Sequence, residues 1–222
     1  MRTRKLFYFC LRKISIMSPT IVLLVLNIGA SLYAWNNQDV YRKWMMNPYK
    51  VNTDNQYYRF ITSGFIHGDW MHLIFNMLAL YSFGNNLEYY LHVLKGNEYQ
   101  LYYYGLYLAA LVISELPTYL KHRNDSGYNS LGASGAVSAV VFACIVVSPL
   151  SWLSFFFIPM PAFIFGFVYL AYSYYASKKS LGGINHDAHF YGAVFGVATI
   201  IFIHPPALAG FFEQISNWSL FH

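Results

Sequence analysis

Charge is scarce in this chain: Asp, Glu, Lys and Arg make up 10% of its 222 residues, against 57% hydrophobic and 20% aromatic. That balance is too apolar for an ordinary soluble domain. Cysteine is nearly absent as well. Cys10 lies in a basic N-terminal stretch and Cys144 inside an apolar run, so no disulfide framework is expected. A palmitate on Cys10 is the chemical alternative to an idle thiol there. There is no glycine-rich phosphate loop, internal repeat or low-complexity tract, and no cofactor or metal is expected. The net charge of +5 sits largely in the tail and loops beside apolar segments and calls for no nucleic acid.

What is present is a series of six apolar segments. They run from about Pro19 to Trp35, Trp70 to Leu91, Tyr99 to Leu120, Leu131 to Val147, Trp152 to Ala176 and Ala188 to His204. Six spans of roughly 20 residues need about 120, which leaves room for short loops and one longer one but not for a second domain. The expected fold is therefore an all-α membrane protein, a six-transmembrane-helix bundle. Its expected division is 1–18 as a short cytoplasmic tail with no room for a regulatory domain, 19–206 as the membrane domain, and 207–222 as a short C-terminal tail. Pro149, Pro205 and Pro206 should end helices, and Pro159 and Pro161 should bend or break the first turns of the fifth.

Arg2, Arg4, Lys5, Arg12 and Lys13 precede the first segment, which places the N-terminus inside by the positive-inside bias. The whole-chain count of basic residues does not add to that orientation. A cleaved signal peptide is the alternative for this segment, but the run is long for one and no small-x-small site closes it before Trp35. Residues 36–59 mix polar side chains with Tyr41, Trp44, Met45, Tyr49, Tyr57 and Tyr58, a composition suited to the headgroup region.

Three polar clusters open the second, fourth and sixth segments, and even-numbered spans all begin on one side. They are His72 with Asn76, Ser134 within Gly132-Ala133-Ser134-Gly135, and His189 after Ala188. Gly-x-Ser-Gly alone is a weak signal, since small residues also let membrane helices pack closely. The odds change with Ala188, Gly192 and Gly196, a four-residue repeat that makes one flat helical stripe. Ser134, Gly135 and Ala139 offer a matching thin surface, which would bring Ser134 and His189 to the same depth. A serine hydroxyl becomes a useful nucleophile when a neutral imidazole takes its proton. Ser134 near a helix start would have backbone N–H groups available for an oxyanion, and Gly132 would let a substrate backbone approach. His72 and Asn76, four apart, share a helical face and could aim donors at the same spot, Asn76 being the better donor. The structural alternative for both is a polar bond that glues helices together. His67 should brace the adjoining loop.

With these residues in place the chain resembles the rhomboid family of intramembrane serine proteases over about Arg59 to Pro205. The matching pieces are Phe65-Ile66-His67 leading to His72-Leu73-Ile74-Phe75-Asn76, then Gly84 and Glu88, Gly132-Ala133-Ser134-Gly135-Ala136, Ile158-Pro159-Met160-Pro161, and Ala188-His189 with Gly192 and Gly196. The resemblance implies a six-helix fold and a Ser-His dyad without a required acid. By position it implies Ser134 as nucleophile, His189 as base, and Asn76 with the Ser134 N–H as oxyanion hole, assisted by His72. Two positions depart from the pattern. Many relatives carry an aromatic residue four after the serine, stacked on the catalytic histidine, where this chain has Ser138. The family's Trp-Arg at the end of the first loop is here Tyr58-Arg59.

The expected substrates are single-span membrane proteins, cut in or next to their helices, with lipid as the other partner. The stretch Ser177 to Asn185, with Gly182-Gly183, is polar and pliable enough to act as a lid. The expected location is a bacterial cell (inner) membrane. Two other classes compete: a catalytically inactive relative that binds transmembrane helices as a scaffold or chaperone, and a small transporter. The second lacks a repeat and has few mid-span carboxylates.

Overall fold

The computed structural model describes residues 18–155, 158–179 and 185–218. The basic tail with Cys10, positions 180–184 of the expected lid and the last four residues lie outside the described residues. The chain is mostly helical. The first helix, α1 (Pro19–Trp35), begins where Ser18 caps it, its Oγ accepting from the Ile21 N–H, with Pro19 at the first helical position. Three short helices follow in the first loop: α2 (Gln38–Trp44), α3 (Pro48–Asp54) and α4 (Arg59–Thr62). Next come α5 (Trp70–Lys95), α6 (Tyr99–His122) and α7 (Ser134–Val147), then a hairpin of β1 (Trp152–Phe155) and β2 (Ile158–Pro161), α8 (Ala162–Lys179), α9 (His186–Ile203) and α10 (Pro206–Ser216).

By length and apolar content one described helix, α9, is able to cross a membrane, and α1 and α7 are shorter apolar helices. Large apolar side chains point outward from the described helices, among them Val25 and Leu26 on α1, Leu78 on α5, Leu101 on α6, Phe167 on α8 and Phe202 on α9. A surface of that kind suits lipid rather than water.

Two expected helix starts are corrected, and the tail gains a helix. The fourth helix starts at Ser134, not Leu131, because Gly132 has φ +123°, outside any helical basin. The fifth starts at Ala162, not Trp152. Pro159 and Pro161 lack the N–H a helix needs, and the chain pairs instead as an antiparallel hairpin with Trp152 opposite Pro161 and Phe155 opposite Ile158. The expected C-terminal tail also contains a helix. Pro206 occupies a first-turn position of α10, where a missing N–H costs nothing, so this proline starts a helix as well as following one.

The centre of the bundle is α7, in which every residue from Gly135 to Val146 is buried. Its tightest neighbour is α9. A Cβ added at Gly192 would strike the Gly135 carbonyl oxygen, and one at Gly196 would strike that of Ala139. The small-residue stripe read from sequence is therefore the surface on which two helix backbones touch. On the far side, Glu88 of α5 accepts from Ser18 Oγ (2.6 Å) and from the Thr20 N–H (3.3 Å), setting a carboxylate at the positive end of α1.

Candidate active site

The first loop is pinned to the segment that leads into α7. Arg59, 2% exposed, donates from Nε to Gln56 Oε1 (2.7 Å) and from a terminal nitrogen to the Met45 (2.6 Å) and Arg42 (3.2 Å) carbonyls. Asn47 caps α3 with its Oδ1, while its Nδ2 reaches the Ser126 and Tyr128 carbonyls and Asn129 Oδ1. Met46 and Ser130 exchange backbone hydrogen bonds of 2.9 and 3.0 Å, and the Gly132 N–H donates to the Ser63 carbonyl (2.9 Å). These bonds hold both ends of the approach to Ser134.

His67 also serves this frame. Its Nδ1 lies 3.0 Å from Ser31 Oγ, and its carbonyl accepts from Trp35 Nε1 at 2.7 Å, so it ties the loop to α1 as the sequence suggests. Burial pushes its imidazole down to about 3, with His72 nearby adding to the effect, so the ring is neutral at ordinary pH.

A cavity of about 680 Å³ opens beside this frame, and His72, Asn76, Ser134 and His189 all line it. Four residues singled out from sequence, carried by α5, α7 and α9, thus share one space. Ser134 occupies the first position of α7, and Ala133 before it makes no side-chain cap. The leading N–H groups of that helix have no intrahelical acceptor and favour negative charge nearby. The Gly132 position packs under His72, whose Cε1 and Nε2 would lie 2.6 and 2.7 Å from an added Cβ. Glycine there gives the histidine its room.

Two expected contacts differ from the simplest picture. Among the described residues no hydrogen bond joins Ser134 to His189, although both face the cavity. Asn76 gives one amide hydrogen to the His72 carbonyl (2.9 Å), a bond within its own helix that joins it to no other. A primary amide has a second hydrogen, which that bond does not use.

Sequence reasoning missed the residues that hold α9. Asn185 caps it by accepting from the Ala188 N–H (3.1 Å), accepts from Thr118 Oγ1 (3.0 Å), and donates to both carboxylate oxygens of Glu115 (3.1 Å each). Asp187 meets Lys121 at 3.3 Å and hydrogen-bonds Ser177. An asparagine immediately before an apolar run is a readable cap signal. Glu115 has no local signal, since it looks like any carboxylate on a long helix. Tyr169 was also missed: its ring lies nearly parallel to that of His189, and its hydroxyl is 2.8 Å from Ser138 Oγ.

The family model for the rhomboid domain matches residues 54–206. RHOMBOID-like protein 12, mitochondrial, of Arabidopsis thaliana is 30% identical over 168 residues, covering 68% of this chain and 49% of that protein. The presenilin-associated rhomboid-like protein, mitochondrial, of Homo sapiens is 31% identical over 148 residues, 65% of this chain and 37% of that protein. Rhomboid-like protein 11, chloroplastic, of Arabidopsis thaliana is 32% identical over 164 residues, 65% of this chain and 51% of that protein. The chain spans about half or less of the length of these relatives. Their names overturn the expected bacterial inner membrane: they belong to mitochondria and chloroplasts, which points to an organellar membrane, and the cytoplasmic label for the N-terminus falls with it.

Proposed function

We propose, from the premise that this chain belongs to the rhomboid family, that it is an intramembrane serine endopeptidase of an organellar membrane, built on six membrane-crossing segments and cutting single-span proteins in or beside their helices. The observation that carries this reading is the meeting of Ser134, His189, His72 and Asn76 in one cavity, from three separate helices. Polar groups gathered inside a membrane bundle are costly, and a hydrolytic role accounts for the cost of these four.

In this reading the Ser134 hydroxyl attacks a peptide carbonyl while His189 takes its proton, and His189 then gives that proton to the departing amine. The negative oxygen that forms is held by the leading N–H groups of α7 and by the second amide hydrogen of Asn76. Water, activated by the same imidazole, releases the acyl group from Ser134. A peptide bond inside a regular helix is shielded by its own hydrogen bonds, so the substrate segment must unwind near the cut, and helix-weakening Gly or Pro there should speed cleavage.

A second reading, a helix-binding scaffold without catalysis, is favoured by one observation: the Ser134–His189 hydrogen bond is not formed among the described residues. One experiment separates the two. The purified protein is treated with a fluorophosphonate and, in parallel, incubated with a panel of single-span membrane proteins whose cuts are mapped by mass spectrometry. The protease reading expects a label on Ser134 and at least one defined cut, both lost in Ser134→Ala and His189→Ala. No label and no cut would leave the scaffold reading standing.

A further inference from the structure

A general base must offer one edge of its imidazole to the nucleophile, and something has to fix the ring's rotation for it to do so. A hydrogen bond to the far ring nitrogen is the usual means, yet among the described residues His189 has none. What it has is packing. The Tyr169 ring lies 6.1 Å from it, centroid to centroid, at an interplanar angle of 19°, while His186 meets it edge-on at 5.7 Å and 78°. The first is offset stacking at a normal separation.

Tyr169 is itself held from several sides. Its hydroxyl is 2.8 Å from the hydroxyl of Ser138, a buried residue one turn along α7 from Ser134. Phe142 of α7 and Phe165 of α8 lie 5.6 and 5.7 Å from its ring. A ring on α8 is thus bonded to the nucleophile's helix and laid against the imidazole on α9. The two residues form a unit, since a bulkier side chain at 138 would compete for the space that Tyr169 fills.

We propose that Tyr169, tethered through Ser138, is a positioning residue that sets the ring orientation of His189. The proposal rests on the protease reading for its catalytic consequence, but the placement of the ring is independent of it. The nucleophile and the base stand on the tightly joined α7 and α9, whereas the brace stands on α8. Access to the productive geometry therefore depends on how α8 lies against the other two.

The test compares Tyr169→Leu, Tyr169→Phe, Ser138→Ala and the double variant Tyr169→Phe/Ser138→Ala in the full chain, using cleavage kinetics and the His189 ring resonance in protein labelled with ¹³C-histidine, assigned with His189→Gln. Tyr169→Leu is expected to lower kcat about tenfold or more, leave KM within about twofold, and shift the pH profile of kcat. It should also move the His189 Cε1–H signal by removing the ring current. Tyr169→Phe should keep that signal and lose about twofold to threefold in kcat; Ser138→Ala should match it, and the double variant should be no worse than either, as members of one unit behave. A His189 signal and a pH profile unchanged in Tyr169→Leu would overturn the proposal. Should the wild type neither label nor cleave, the protease reading fails, and the resonance alone still decides whether the tyrosine holds the imidazole. A Tyr169→Leu protein that does not fold leaves the comparison of Tyr169→Phe with Ser138→Ala to decide: unequal, additive losses overturn the tether.

Discussion

The two sides of the cavity are built on different principles. On one side α7 and α9 meet backbone to backbone, with Gly192 and Gly196 against the carbonyls of Gly135 and Ala139 and no side chain between them. On the other, α8 approaches α7 through the ends of side chains. A Cβ at Gly166 would meet Ile145 Cδ1 at 3.3 Å and Phe142 Cε1 at 3.4 Å, and a second cavity of about 500 Å³ lies between α5, α7, the hairpin and α8. Ser134 and His189, the proposed nucleophile and base, both belong to the backbone-packed side. In the protease reading a catalytic pair needs fixed geometry, and the side that would admit an unwound segment needs slack.

In the protease reading the largest effect comes from removing the two proposed reactive groups from the α7–α9 side. Ser134→Ala and His189→Ala should each reduce cleavage by about 10³-fold or more, and the double variant should be little worse than either, because members of a dyad act as a unit. The check is turnover of a single-span substrate together with fluorophosphonate labelling. Additive losses would mean that the two residues do not share a step.

The seam itself can be attacked next. Gly192→Val sets a branched side chain against the Gly135 backbone, which has no flexible end to move aside. It should cost about 3 kcal/mol or more and lower the unfolding midpoint in mild detergent, with activity lost through folding. A variant with wild-type stability would mean that the helices are not in backbone contact.

Much of this was readable in advance, and for a physical reason. Small residues at four-residue spacing and polar residues on one helical face obey helix geometry, so the Gly192 and Gly196 seam and the shared face of His72 and Asn76 are readable from sequence alone. Helix starts were less legible. Gly132 adopts a positive φ that only the folded loop requires, and the hairpin at Trp152 to Pro161 is apolar enough to look like the first turns of a span. Side chains that arrive from a distant segment were not legible at all. Tyr169 reaches His189 from another helix, and Glu115 reaches Asn185 across 70 positions of chain. No local spacing encodes those meetings.

The frame beside the cavity yields a pH test of intermediate size. The folded-state pKa of His67 is depressed from 6.5 to about 3, chiefly by burial. The unfolded chain therefore binds a proton that the folded one refuses. Stability from keeping this ring neutral is fully present above pH 6.5 and is lost as pH falls from 6.5 toward 3, by about 2 kcal/mol at pH 5. His67→Gln should remove that part of the slope, so the gap between its unfolding midpoint and the wild type's narrows between pH 6.5 and 5. Parallel curves would place the proton sensitivity elsewhere.

The smallest expected effect falls on the α8 side. Gly166→Ala adds a single methyl to α8, where Gly192→Val adds a branched side chain to the seam, and its nearest neighbours are the methyl end of Ile145 and the ring edge of Phe142. Those can shift by a few tenths of an ångström, and alanine in a helix interior recovers up to about 1 kcal/mol relative to glycine. The two effects nearly offset, so the unfolding midpoint should stay within about 1 kcal/mol of wild type, and cleavage should be preserved. If Gly166→Ala proved as damaging as Gly192→Val, the α8 side would be as rigid as the seam. The protease reading would then need its slack for substrate in another part of the bundle.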